Sequence, residues 1–221
     1  MQPVMTLIKS LQFVWFTGHV MTLACSAIYL LLTIGAHPSN LLYRLTLLSA
    51  LVSYGIVVFK SYGMPRPSWL YVQQLATDEN MHYFGLALFW LLSNRVPIVL
   101  IPYATYSWFH TLSYIRTTWI HDKKLQQQIK AWTNTNYSTG MRFVAIIEVA
   151  FITAMLLFGV LRLHFLPLIV HGHFLRFRYL SCSYTRTAFH DLDLIIAPQV
   201  PDPLKPTYSA FRNMLIRYAH Q

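Results

Sequence analysis

Six apolar stretches fall into three close pairs along this chain, and most of its basic residues lie outside the pairs. The stretches are Leu11–Gly35 with Leu41–Phe59, Met81–Ser93 with Val96–Ile115, and Phe143–Leu161 with Leu163–Leu175. Each pair is separated by a few turn-forming or charged residues: Ala36–His37–Pro38–Ser39–Asn40, Asn94–Arg95 and Arg162. In the first turn Ser39 or Asn40 is placed to cap the next helix, because a short oxygen-bearing side chain can satisfy the orphan N–H groups of a helix start. The pattern predicts hydrophobic helical hairpins in a bilayer. The first stretch is long enough to cross about 30 Å of hydrocarbon with tilt. Met81–Ser93 and Leu163–Leu175 reach only about 20 Å at about 1.5 Å per residue, so each either turns back or joins its neighbour as one kinked span.

Charge separates these two layouts. With three hairpins entering from the cytosol, 14 of the 17 basic residues are cytosolic. With four spans, the loop 116–142 becomes lumenal and takes its five basic residues to that side. Short cytosolic loops carry an excess of Lys and Arg, which favours the hairpins and places both termini in the cytosol. Asn136–Tyr137–Ser138, a glycosylation sequon in that loop, is then expected to stay unmodified.

Composition agrees with a lipid environment. Only 11% of the residues are charged and 55% are hydrophobic, whereas a soluble domain carries about 25% charge. The net charge of +10 fits anionic lipid better than nucleic acid beside so much apolar sequence. The first apolar stretch exceeds the h-region of a cleaved signal peptide, about 7–15 residues, and reads as a retained span. Cys25 and Cys182 stand far apart and imply neither a disulfide framework nor a zinc site.

Catalytic signatures are missing. There is no glycine-rich phosphate loop, nucleophile elbow, HExxH or CxxC, and no enzyme activity, cofactor or metal is expected. Glu148 is the one carboxylate inside an apolar stretch. An ionisable group in lipid is costly and usually paired, so Glu148 is read as packing against Arg44 or a histidine, with a proton or ligand site as the alternative. Arg44 could also snorkel to the headgroups. His171–Gly172–His173 lacks a further ligand at metal spacing and reads as interfacial.

The tail is more specific. Arg176–Phe177–Arg178–Tyr179 forms a basic-aromatic collar directly after the last apolar stretch. Two further helices are predicted, over 185–197 and 207–219. On the second, Tyr208, Phe211, Met214, Leu215 and Tyr218 recur at three- and four-residue steps and share a face. Ser209, Arg212, Asn213 and Arg217 fill much of the rest. Such a helix suits the plane of an anionic membrane; the alternative is a helix docked on the protein's own core.

These residues resemble the transmembrane protein 33 family. The likeness is carried by Tyr43–Arg44 with Leu47–Leu48 and Ala50–Leu51, by Asp78–Glu79 before His82–Tyr83, and by Glu148. After the collar it continues through Tyr184, Arg186–Thr187, Phe189 and Leu192. It covers about residues 10–196 and rests on dispersed positions. The resemblance implies a non-enzymatic, multi-pass protein of the endoplasmic reticulum and nuclear envelope with three or four spans. It further implies roles in shaping tubular reticulum with reticulon-type proteins and in nuclear pore complex assembly or distribution. The family's amphipathic tail implies binding to curved membrane and to a nuclear transport receptor, and a tail longer than this one.

The expectation is therefore an all-α integral membrane protein. Residues 1–175 form a helical membrane domain with cytosolic loops at 60–80 and 116–142, and residues 176–221 form an amphipathic surface region. Arg176, Arg178, Phe211, Arg212, Leu215 and Arg217 are the expected lipid contacts, and Arg44 and Glu148 the intramembrane polar residues. Self-association is compatible with this reading. The competing classes are a membrane-anchored adaptor whose loops and tail recruit partners, and a transporter or channel lined by Glu148 and Arg44.

Overall fold

The computed structural model describes the backbone of residues 2–161 and 163–220, and the side chains of 10–161, 163–210 and 212–218. Every regular element among the described residues is helical. The chain divides into two compact units, Met1–Gly140 and Met141–Gln221.

The first unit is built on α1 (Gln2–Ile34), α2 (Asn40–Tyr62), α4 (Glu79–Leu92) and α5 (Leu100–Thr118), with a short α3 (Trp69–Ala76) in the 60–80 connection. Local chemistry sets the boundaries. Ser39 caps α2 by accepting the Leu42 N–H at 3.4 Å, and Gly63 stops it in the left-handed region at φ 73°. Asp78 caps α4 by accepting the Met81 N–H at 2.8 Å. Pro97 opens a short 3₁₀ turn, Pro97–Val99, that leads into α5.

Cross-contacts fix the directions of these helices. At one end, Phe16 stacks on Tyr114 at 4.2 Å and the Tyr62 hydroxyl donates to Asp78 Oδ2 at 2.9 Å. At the other, Arg95 donates to the Pro38 carbonyl at 3.3 Å, and the Val96 N–H donates to the Tyr43 hydroxyl at 3.4 Å. The four helices therefore run alternately up and down. The third and fourth apolar stretches fold back on each other rather than continuing as one kinked rod. Tyr103 clamps that hairpin by donating to the Tyr83 carbonyl at 3.0 Å. Helices α1 and α2 approach closely where Gly18 faces Ser53 and the Ser53 hydroxyl reaches the Trp15 carbonyl at 3.1 Å. Small residues at a crossing permit that contact, as in membrane helix pairs generally.

The polar stretch 116–142, expected as a loop, is helical over most of its length. Helix α6 (Lys123–Ile146) starts where Asp122 accepts the Lys124 N–H at 2.8 Å. It runs through a π-helical segment, Ile147–Ile152, into α7 (Thr153–Val160). Its Gln, Lys and Asn residues are compatible with a solvated helix, and 123–146 contains no proline and only one glycine, Gly140. Among the described residues, three helices are long and apolar enough to cross a bilayer: Ser10–Ile34, Asn40–Tyr62 and the continuous Lys123–Val160. At 14 residues α4 is too short to do so alone.

In the second unit α8 (Leu166–Ser181) folds back along α7, so the fifth and sixth apolar stretches also form a hairpin. Leu163 adopts φ 62° in the turn, which brings the His164 N–H to the Gly159 carbonyl at 3.1 Å. Helices α9 (Ser183–Ile196) and α10 (Lys205–His220) follow, joined by two 3₁₀ turns at Ala197–Gln199 and Asp202–Leu204.

Candidate functional site

Two features of the second unit gather the expected site residues. The first is internal. Glu148 lies in the π-helical segment, and its carboxylate is 3.6 Å from Arg178 Nε, with both side chains only 2% exposed. His171 approaches from α8 and donates its Nε2–H to the Glu148 backbone carbonyl at 3.0 Å. The Thr153 hydroxyl donates to the same oxygen at 3.3 Å. A π turn shifts the helical register, and such turns recur at functional sites; here it turns the carboxylate inward to Arg178. Glu148 is thus paired with Arg178, whereas Arg44, the expected partner, is exposed on α2. The nearby histidine serves the backbone carbonyl. Arg178, expected at the headgroups, is buried instead, because it supplies the counter-charge that a carboxylate in an apolar setting needs. The histidine pair divides: His171 is buried and His173 exposed.

The second feature is the tail. Helix α9 is held by buried Thr185 and Ala188, by Phe189 edge-on to Tyr179 at 5.6 Å, and by Arg142, 3.8 Å from Asp191. Helix α10 is then tied down at two points. Asp193 accepts from the Tyr208 hydroxyl at 2.7 Å and from Arg212 Nε at 2.9 Å. Arg176 donates to the Tyr218 carbonyl at 2.9 Å, and its guanidinium lies over the Tyr218 ring at 5.1 Å. The Asp193 carboxylate, accepting the hydrogen bond that the Tyr208 hydroxyl donates, raises the pKa of that hydroxyl above the usual tyrosine value.

Helix α10 also offers a partly exposed apolar row that includes the tied Tyr218. Met214, Leu215 and Tyr218 are 56%, 42% and 46% exposed, and Arg217 is exposed beside them. A shallow depression of about 590 Å³ is lined by Ala210, Asn213, Met214, Arg217 and Tyr218. Leu194, Ile195 and Ile196 at the end of α9 are exposed as well. Of the expected lipid contacts, Leu215 and Arg217 stand outward, Arg176 and Arg212 are engaged by Tyr218 and Asp193, and Arg178 is interior. The side chain of Phe211 lies outside the described residues. Sequence reasoning passed over Asp193. Its partners lie 15 and 19 residues away, beyond any helical spacing that would have marked them.

In the first unit, Trp108 and Leu112 of α5 and Ile129 and Trp132 of α6 line an apolar slot, with the two indoles 6.4 Å apart. Exposed Lys124 and Lys130 lie on the same stretch of α6.

Comparison with known proteins extends this picture. The family model described as Transmembrane protein 33/Nucleoporin POM33 matches residues 3–221. Tetra-spanning protein 1 of Schizosaccharomyces pombe is 29% identical over 98% of this chain and 87% of its own length. Pore membrane protein of 33 kDa of Saccharomyces cerevisiae is 28% identical over 98% of this chain and 86% of its own. Nucleoporin POM33 of Chaetomium thermophilum is 33% identical over 57% of this chain and 46% of its own. No solved structure matches.

Proposed function

Because the chain belongs to the transmembrane protein 33/nucleoporin POM33 family, we propose that it is a non-enzymatic protein of the endoplasmic reticulum and nuclear envelope that shapes or senses membrane curvature. In this role it supports tubular reticulum and the assembly or distribution of nuclear pore complexes. Reticulon-type proteins, nucleoporins and a nuclear transport receptor are the proposed partners. The words "pore membrane protein" and "nucleoporin" in the names of two relatives support the pore assignment.

The observation that carries the membrane reading is the outward row Met214, Leu215 and Tyr218 with Arg217 alongside. An apolar row seated among headgroups, with a cation at lipid phosphate, adds area to one leaflet. The short α4–α5 and α7–α8 hairpins add more on the same principle if they enter from the cytosolic side. Unequal leaflet areas favour a curved bilayer. Electron microscopy of liposomes reconstituted with the full chain tests this: tubes or small vesicles in proportion to protein are expected. Large round vesicles carrying verified, inserted protein would remove curvature generation. Unchanged binding to small vesicles after deletion of 205–220 would remove α10 as the reader of curvature.

The apolar slot between Trp108 and Trp132 favours a second reading, an adaptor that takes an acidic partner segment on α6. Reversing Lys124 and Lys130 to glutamate would then abolish partner capture while membrane insertion persists.

A further inference from the structure

We infer that the contacts holding α10 on α8 and α9 form a latch that anionic lipid opens, so that the tail helix is autoinhibited until it meets a charged bilayer. This rests on the membrane reading above and adds its regulation. Two cations that would strengthen lipid binding are used internally: Arg212 by Asp193 and Arg176 by Tyr218. Tyr208, part of the amphipathic face in sequence, is also turned to Asp193. The docked helix therefore presents Met214, Leu215 and Arg217 outward but withholds Arg212 and Tyr208.

The ties are of the kind that exchanges. The Arg212–Asp193 pair is surface-accessible, with side chains 49% and 22% exposed, and such pairs contribute little in water. A leaflet rich in anionic lipid offers each arginine a competing partner of similar or greater strength. A two-state element follows the ligand that prefers one state. Lipid phosphate competes with Asp193 for the Arg212 Nε–H and binds the guanidinium more fully once that bond is released, so anionic lipid favours the released helix. Asp193 is the centre of the latch, since it holds two α10 side chains, Tyr208 and Arg212.

The test uses the full chain in nanodiscs, with Cys25→Ala and Cys182→Ala and nitroxides at Thr187→Cys on α9 and Asn213→Cys on α10. In phosphatidylcholine discs one short distance is expected. Adding phosphatidylserine should bring in a longer one. Asp193→Asn should shift the docked-to-released ratio toward release by up to about fivefold in either disc, the range of one exposed ion pair. A fluorophore at residue 213, quenched by nitroxide-labelled lipid, reports membrane contact independently. Quenching with one unchanged distance in both discs and in the variant would overturn the latch and leave the membrane reading standing. No quenching in any disc would overturn both. Release by inorganic phosphate in neutral discs at fixed ionic strength would overturn lipid as the ligand.

Discussion

Arg178 Nε lies 3.6 Å from Glu148 Oε2, and neither side chain is more than 2% exposed. The pair joins an apolar helix long enough to cross a bilayer to the basic collar from which the tail departs. Removing one partner leaves an uncompensated buried charge. Glu148→Gln or Arg178→Met alone should each destabilise the second unit by about 3–5 kcal/mol, and the double variant Glu148→Leu with Arg178→Met should recover most of that loss. Thermal unfolding in detergent measures it; equal losses in the single and double variants would show that the charge pair is not the determinant.

Gly18 permits the α1–α2 crossing. A Cβ there would overlap the Ser53 hydroxyl and sit 3.0 Å from the Ser49 carbonyl oxygen. Gly18→Ala should destabilise the first unit by about 1–3 kcal/mol through overpacking. Adding Ser53→Ala removes one of the two obstacles and should restore part of the stability, which the same unfolding measurement reads.

The stacking of Arg176 on Tyr218 should be local in effect. Arg176→Ala is expected to cost about 1 kcal/mol of docking and to raise hydrogen exchange in 205–220. Exchange in α1 and α2 should not change, and a rise there would mean that Arg176 supports more than α10.

The outer row of α10 should matter for bilayers and not for folding. Met214→Ser with Leu215→Ser is expected to leave the melting temperature unchanged, since both side chains are exposed, and to weaken vesicle flotation about tenfold or more. Arg217→Ala should weaken binding to anionic vesicles by about fivefold, the effect of one cation near a charged surface, and should leave binding to neutral vesicles unchanged.

Alkaline pH should loosen the Tyr208 tie. The folded pKa of Tyr208 is raised because Asp193 accepts a hydrogen bond from its neutral hydroxyl, so the contribution of that bond is complete below the unfolded value of about 10 and is lost as pH climbs through the raised folded value. A tyrosinate difference spectrum against Tyr208→Phe, recorded from neutral to alkaline pH, should place this one hydroxyl later than exposed tyrosines.

Hydrophobic runs, turn residues and caps are local properties, and they made much of the architecture legible in advance. The helix boundaries followed from local chemistry because Ser39, Asp78 and Pro97 act within a few residues of themselves. The tail helix expected over 207–219 is present as Lys205–His220, and the dispersed likeness at Tyr43, Asp78, Glu148 and Arg176 led to the family that matches residues 3–221. Partner choice was not readable in this way. Glu148 needed a counter-charge, and the chain offered Arg44, several histidines and Arg178. Only the return of α8 along the π-helical segment brought Arg178 and His171 to it. The cations of the tail, similar in sequence, were likewise divided by tertiary contact. Arg178 went inside, Arg176 and Arg212 went to Tyr218 and Asp193, and Arg217 remained outward. Ion pairing depends on where helices meet in space, and spacing along one helix carries no information about that.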